Sequence, residues 1–401
     1  MSSVLNMRLS RAVALWFAAL ALSSLARSQQ VRSGQVPTPQ ATPERVELVE
    51  RIAQRLKAKL ATDKIPGLSC AIAVGEEVVF ARGFGVSDLE NDVAATEHTV
   101  YRLASISKPI TAVLAMQLVE AGVLDLDVPV HTLVRGWPEK RWPVSTRQLL
   151  GHLGGVRHYK LGEGESVRRY PNQSAALARF ADDALLHAPG TRFRYSTYGF
   201  NLAAAVLEAR TGESFAELVR KRVSLPSGAA SLQDDDQRRL IKHRAQGYRR
   251  FGRELGNSGL MDSSYKLGGG GLCASSLDLL KFAQALLAGK LLPPERLAEM
   301  WTIGRDASGK QTGYGLGFAV SSREGVRTVT HAGAQSRVST MLATLPDARI
   351  AVVLMCNLEQ VKLSKLATDL AFEVRSNAGK QSNDGKQSND GNLAGRNGGE
   401  R

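Results

Sequence analysis

Strand-forming sequence lies at the two ends of this chain and is scarce between them. That restricts the folds open to it more than any other feature. Early on, 68–74 and 78–82 read as the arms of a β-hairpin around Gly75-Glu76-Glu77. Late in the chain, 327–330, 338–345 and 349–356 read as strands, the last two joined at Pro346-Asp347. The stretch between, about 104–300, is mainly helical with long loops. Its clearest helix, 277–288, is opened by Ser275 with Asp278 three residues on, as in a capping box, and closed by Gly289. Strands from both ends around a helical middle predict an α+β fold with one antiparallel sheet built from the two termini. One face of that sheet would be covered by an amphipathic helix carrying Val46, Val49, Ile52, Leu56 and Leu60, together with a last helix over about 361–374. The helical insert would cover the other.

Four segments follow from this reading. Residues 1–26 have the form of an export signal: Arg8 and Arg11 precede the apolar run Ala12 to Leu22, and small residues follow at Ser24, Ala26 and Ser28. The run is too short to span a bilayer. A mitochondrial presequence is the alternative, since no acid precedes Glu44, but the unbroken apolar run favours export to a periplasm or the outside. A linker, 27–42, leads to a single domain over 43–375, with an α/β part (43–103 and 320–375) and a helical part (104–319). The tail, 376–401, repeats Gly-Lys-Gln-Ser-Asn-Asp and is too polar to bury a core, so disorder is expected.

Composition excludes several classes. At 43% apolar and 22% charged the chain is an ordinary globular protein. The net charge of +14 is scattered, aromatics are few, and no helix-turn-helix, zinc-finger or RNP pattern occurs, so nucleic acid is not the expected partner. A solvated basic surface is the simpler reading; an anionic envelope surface is the partner it would suit. Cys70, Cys273 and Cys356 lack the paired spacing of a zinc site and lie in apolar contexts, as buried free thiols do. A Cys70–Cys356 bridge stays open if their strands pair. No metal-ligand spacing such as HExxH is present, and no cofactor is called for.

Chemistry first suggests itself at Ser105-Ile106-Ser107-Lys108-Pro109. Proline fits only the first turn of a helix, so a helix opens close to Ser105, and Ser105 and Lys108 share a face of it. A serine beside a helix N-terminus, with an amine in reach to take its proton, can act as a nucleophile if the lysine is buried enough to lose its charge. Downstream, Tyr195-Ser196-Thr197 precedes a helical run over 202–210, and Thr330-His331-Ala332-Gly333-Ala334 closes a strand.

Serine–lysine, then tyrosine, then a basic residue before a small-residue turn resembles the serine β-lactamase and penicillin-binding-protein superfamily, in its class C-like and D-aminopeptidase/esterase branch. Thr146 to Gly155, Gly269-Gly270-Gly271-Leu272 and Tyr314-Gly315-Leu316-Gly317-Phe318 are similar to three further segments of that superfamily. The local wording is nearest its mitochondrial β-lactamase-like members, and the resemblance covers about 43–375. It implies a β-lactamase/DD-peptidase-like fold and a serine hydrolase acting on a small peptide, amide or ester. Ser105 would be the acylated nucleophile, Lys108 the acceptor of its proton, and Tyr195 a general base and acid. His331, Gly333, Ala334 and Thr197 would form the substrate and oxyanion side, with backbone N–H groups of Ser105 and Ala334 facing the developing charge. Thr197 replaces an asparagine of the family pattern and Ala332 a hydroxyl residue, which disfavours efficient β-lactam hydrolysis. The same losses allow an alternative, a catalytically weak member used for binding or self-assembly. His152 and His158 are read as structural hydrogen-bonding groups at the cleft base, Tyr198 as packing, and 268–271 as a cleft-lining turn.

Overall fold

The structure, a computed structural model, describes residues 42–393; the expected signal segment and all but the last residue of the linker lie outside them. Helix α1 (Pro43–Thr62) leads into strands β1 (Gly67–Val74) and β2 (Glu77–Asp88), the expected hairpin, followed by β3 (Val93–Ala94) and β4 (Val100–Arg102). The insert carries helix α2 (Ser107–Glu120) and helix α3 (Thr197–Thr211). Short strands β5 (Gln233–Asp234), β6 (Tyr248–Phe251) and β7 (Glu254–Asn257) come next. The one-turn helix α4 (Leu267–Gly270), β8 (Leu272–Ser275) and helix α5 (Ser276–Leu287) complete the part that bears on the site. The chain returns as β9 (Ala319–Arg323), β10 (Val326–Gln335), β11 (Val338–Leu345) and β12 (Ile350–Cys356), then helix α6 (Ser364–Leu393).

Both ends of the chain meet in one antiparallel seven-stranded sheet, ordered β3-β2-β1-β12-β11-β10-β9. Its central strand shows why. Every residue of β12 is buried. Ile350, Val352, Leu354 and Cys356 pack among Leu48, Ile52 and Leu56 of α1 and Ala367, Leu370 and Ala371 of α6. Ala351, Val353 and Met355 join the larger core shared with α2, α3 and α5. A strand covered on both faces needs an almost unbroken apolar run, which is what 350–356 supplies.

The cysteines are the expected buried free thiols, and one expectation, that of the tail, is corrected. Strands β1 and β12 do pair, but in a register that sets Cys356 opposite Leu68 and Cys70 opposite Leu354. All three cysteines are free and buried, so the bridge is not formed. The last helix does not stop near 374 but runs to Leu393, so 376–393 are helical where a disordered tail was expected; 394–401 lie outside the described residues. Once Ala367 to Val374 are packed, propagation adds one hydrogen bond per residue without a new nucleus, and a polar sequence can continue the helix.

The sheet also opens the site. Strand β9 pairs with β10 only from Val326 to Thr330, whereas β11 pairs with it on to Gln335. Among the described residues the outer edge of β10 has no strand partner beyond Thr330, and His331, Ala332, Ala334 and Gln335 line a cleft beside the helical insert.

Leu354 is wholly buried at the centre of the sheet. Leu354→Ala is expected to lower unfolding free energy by about 2–5 kcal/mol, measured by denaturant unfolding; a loss within error of zero would contradict this core.

Candidate active site

Strand β4 delivers the chain to a tight turn. Ala104 has φ +49°, a left-handed conformation that costs a non-glycine residue about 1–2 kcal/mol. A 3₁₀ turn over Ala104–Ile106 follows and hands over to α2, with Pro109 in the first helical turn as expected. Within 101–110, Ser105 alone is not buried. Opposite, β10 passes so close that a Cβ on Gly333 would lie 2.5 Å from Leu103 O and 2.2 Å from Thr340 Oγ1. Thr340 Oγ1 donates to Leu103 O at 3.0 Å and ties β11 to the same turn.

Lys108 is wholly buried. Its Nζ lies 3.1 Å from Ser105 Oγ, 3.2 Å from Thr197 Oγ1 and 2.6 Å from Gly269 O. Burial, and then the charge of Lys266, push its pKa well below that of a free lysine. A neutral amine has two protons and one lone pair. Nζ donates to Gly269 O and Thr197 Oγ1, and an amine that had given up its third proton would turn its lone pair to the Ser105 hydroxyl. Glycine makes the Gly269 contact possible, since a Cβ there would lie 2.5 Å from Thr197 Cγ2 and 2.8 Å from Thr197 O.

The Tyr195 ring lies 4.8 Å from Lys108 Nζ. Burial raises its phenol pKa, and the neighbouring Ser105 hydroxyl partly offsets this. Two histidines hold the segment that carries it. Ser196 N–H donates to His152 Nδ1 at 3.2 Å and Thr197 N–H to His158 Nδ1 at 3.1 Å. The His152 ring sits 4.2 Å from the Tyr195 ring, centroid to centroid. Both imidazoles must stay neutral to accept these bonds. Burial above all holds His152 well below its ordinary value and His158 at about 4. The structural reading of both therefore agrees with the geometry.

His331 is also neutral, its pKa lowered to about 3 chiefly by burial. Its Nδ1 lies 2.8 Å from the carbonyl of Ala332, which can only accept, so Nδ1 carries the proton and Nε2 accepts from Tyr314 Oη at 2.8 Å. The strand thus presents a fixed neutral imidazole rather than a cation.

Ser105, Tyr195, Thr197, His331 and Ala334 line one cavity of about 440 Å³. Gly333 supports it from behind without lining it. Tyr198 packs away from it, stacked on Phe180, and Asn201 lies inside α3 with Nδ2 on Tyr265 O, so it cannot replace the family asparagine. Residues 269 and 270 line the cavity, as expected of the glycine turn. Sequence reasoning singles out none of five further lining residues, Tyr159, Lys266, Tyr314, Ala319 and Gln335. Tyr314 enters it only as part of the 314–318 segment.

Residues 52–375 match the Beta-lactamase family. The chain belongs to that family. It is a serine hydrolase by type, with a β-lactamase/transpeptidase-like fold. It is 28% identical to the mitochondrial serine beta-lactamase-like protein LACTB of Homo sapiens, over 77% of this chain and 76% of that one. It is 27% identical to a D-aminopeptidase of Brucella anthropi, over 79% of this chain and 59% of that protein. Among solved structures, the octameric penicillin-binding protein homologue from Pyrococcus abyssi superposes with a TM-score of 0.70 at 26% identity, covering 80% of this chain and 75% of that one.

The neutral histidines make a pH prediction. Their folded pKa values, about 4 for His158 and about 3 for His331, lie below the ~6.5 of an unfolded histidine. The unfolded chain then binds more protons, so stability is complete above pH ~6.5 and falls as pH drops toward those folded values. Thermal unfolding should show this decline, and His331→Gln, which cannot charge, should make it shallower. An unchanged slope in that variant would contradict the assignment.

Proposed function

We propose that this protein hydrolyses a small amide, peptide or ester through an acyl-enzyme on Ser105. The observation that carries the reading is the buried Lys108 amine, its pKa lowered by burial, 3.1 Å from Ser105 Oγ at the edge of an open cavity. Ser105 Oγ attacks the substrate carbonyl carbon while its proton passes to Lys108 Nζ. The oxygen of the tetrahedral adduct is met by backbone N–H groups of Ser105 and Ala334. Tyr195 hands a proton to the leaving nitrogen or oxygen as the bond to carbon breaks, and is reprotonated from Lys108. Water then cleaves the Ser105 ester, its proton following the same route in reverse.

Thr197 serves Lys108, not the substrate. Its hydroxyl takes one amine proton, which helps aim the lone pair at Ser105. His331 contributes a neutral wall whose orientation is fixed by Tyr314. The D-aminopeptidase relative supports an amide substrate, and the absence of an asparagine at 197 and a hydroxyl at Ala332 disfavours β-lactams. Export through residues 1–26 belongs to this reading; the mitochondrial relative favours import as its alternative.

Steady-state hydrolysis of 4-nitrophenyl esters and amino-acid amides tests the roles. Ser105→Ala should fall to background. Lys108→Met and Tyr195→Phe should each lower kcat by about 10²–10⁴-fold with little change in KM, as expected when a proton-transfer group is removed. Thr197→Val should have a smaller effect in the same direction. Full activity in Lys108→Met would overturn the proposal.

A further inference from the structure

A second lysine borders the cavity; beyond its electrostatic influence on Lys108 it takes no part in the proton transfers. Lys266 is 2% exposed and ends the 3₁₀ turn Ser264–Lys266, directly before α4, whose Gly269 carbonyl holds Lys108. Its Nζ lies 3.2 Å from Met261 Sδ, 5.3 Å from the centre of the Tyr265 ring and 5.7 Å from that of Tyr159. These are soft neighbours for a cation, and none is a counter-charge.

Lys266 makes no ion pair among the described residues. The two carboxylates that act on it from a distance are Asp235 and Glu165. Asp235 is already held by Arg102 at 2.7 Å and Arg244 at 3.2 Å, and Glu165 accepts from Ser336 at 3.0 Å. The cavity lining contains no aspartate or glutamate. A buried amine without a carboxylate is costly in its charged form. Accordingly burial, and then Arg102, bring Lys266 down to about 7. A carboxylate entering the cavity would supply the missing partner, in surroundings poor in water where such a pair is strong.

We propose that Lys266 is the anion-binding residue of this cavity and that the substrate is an ester or amide bearing a carboxylate. The proposal rests on the hydrolase reading above. Recognition and chemistry then divide between two lysines: Lys108, uncharged, handles the proton of Ser105, and Lys266, charged when paired, holds the substrate. No acid in the lining competes for it.

The test compares matched esters. For the acyl side, 4-nitrophenyl hemiglutarate is set against 4-nitrophenyl methyl glutarate. For the leaving side, 3-carboxy-4-nitrophenyl butyrate is set against 4-nitrophenyl butyrate. The wild type should prefer one carboxylated member by at least ~10-fold in kcat/KM, mainly through KM, equivalent to about 1.4 kcal/mol. Lys266→Met should abolish that preference, and Lys266→Arg should keep most of it. Circular dichroism checks that both variants fold. A wild type with no preference on either side, or a Lys266→Met protein that keeps one, would overturn the proposal while leaving the hydrolase reading intact. Failure to cleave any of the four esters would count against both.

Discussion

An amine is enclosed at Lys108 with only neutral oxygens around it. A lysine stripped of water, beside a serine hydroxyl, a threonine hydroxyl and a backbone carbonyl, holds its proton far less firmly than a free lysine does. Much of the surrounding structure maintains that condition. The glycines of α4 bring a carbonyl within 2.6 Å of the amine, and α2 and α3 enclose its stem. His152, His158 and His331 stay neutral in its presence, so the interior around it bears little fixed charge.

The sheet contributes an edge. Because β9 leaves β10 at Thr330, the outer edge of the last part of β10 borders the cleft, which His331, Ala332, Ala334 and Gln335 line. Gly333 then allows that edge to approach the turn bearing Ser105 closely enough for Thr340 to bond Leu103. The turn bearing Ser105 and Lys108 and the strand edge come from segments more than two hundred residues apart in sequence. They meet only because the two chain ends share one sheet. Stability of that sheet and geometry of the site are therefore linked.

Much of this was legible in the sequence. The β-branched runs at both ends identify the sheet, and Pro109 places Ser105 and Lys108 on one helical face. The strand register was not legible. With both faces of β11 and β12 buried, the period-two alternation that would fix it is lost, so whether Cys70 meets Cys356 could not be read. The helical extension past Val374 was missed because polarity was read as disorder, although a packed helix can propagate through polar sequence. The proton states of the histidines depend on backbone N–H groups that arrive from another segment. Nothing in the sequence places Lys266 at the site; only the fold shows it 2% exposed among two tyrosine rings and a thioether.

The central claim is that burial keeps Lys108 uncharged and so activates Ser105. The rate of adduct formation with a fluorophosphonate probe, followed by intact-protein mass across pH, tests it most directly. The account predicts a single adduct, absent from Ser105→Ala, whose rate is already at its plateau at neutral pH and is lost in Lys108→Met. A rate that instead climbs through the range of an ordinary lysine near 10.5, or an adduct that survives Ser105→Ala, would contradict it.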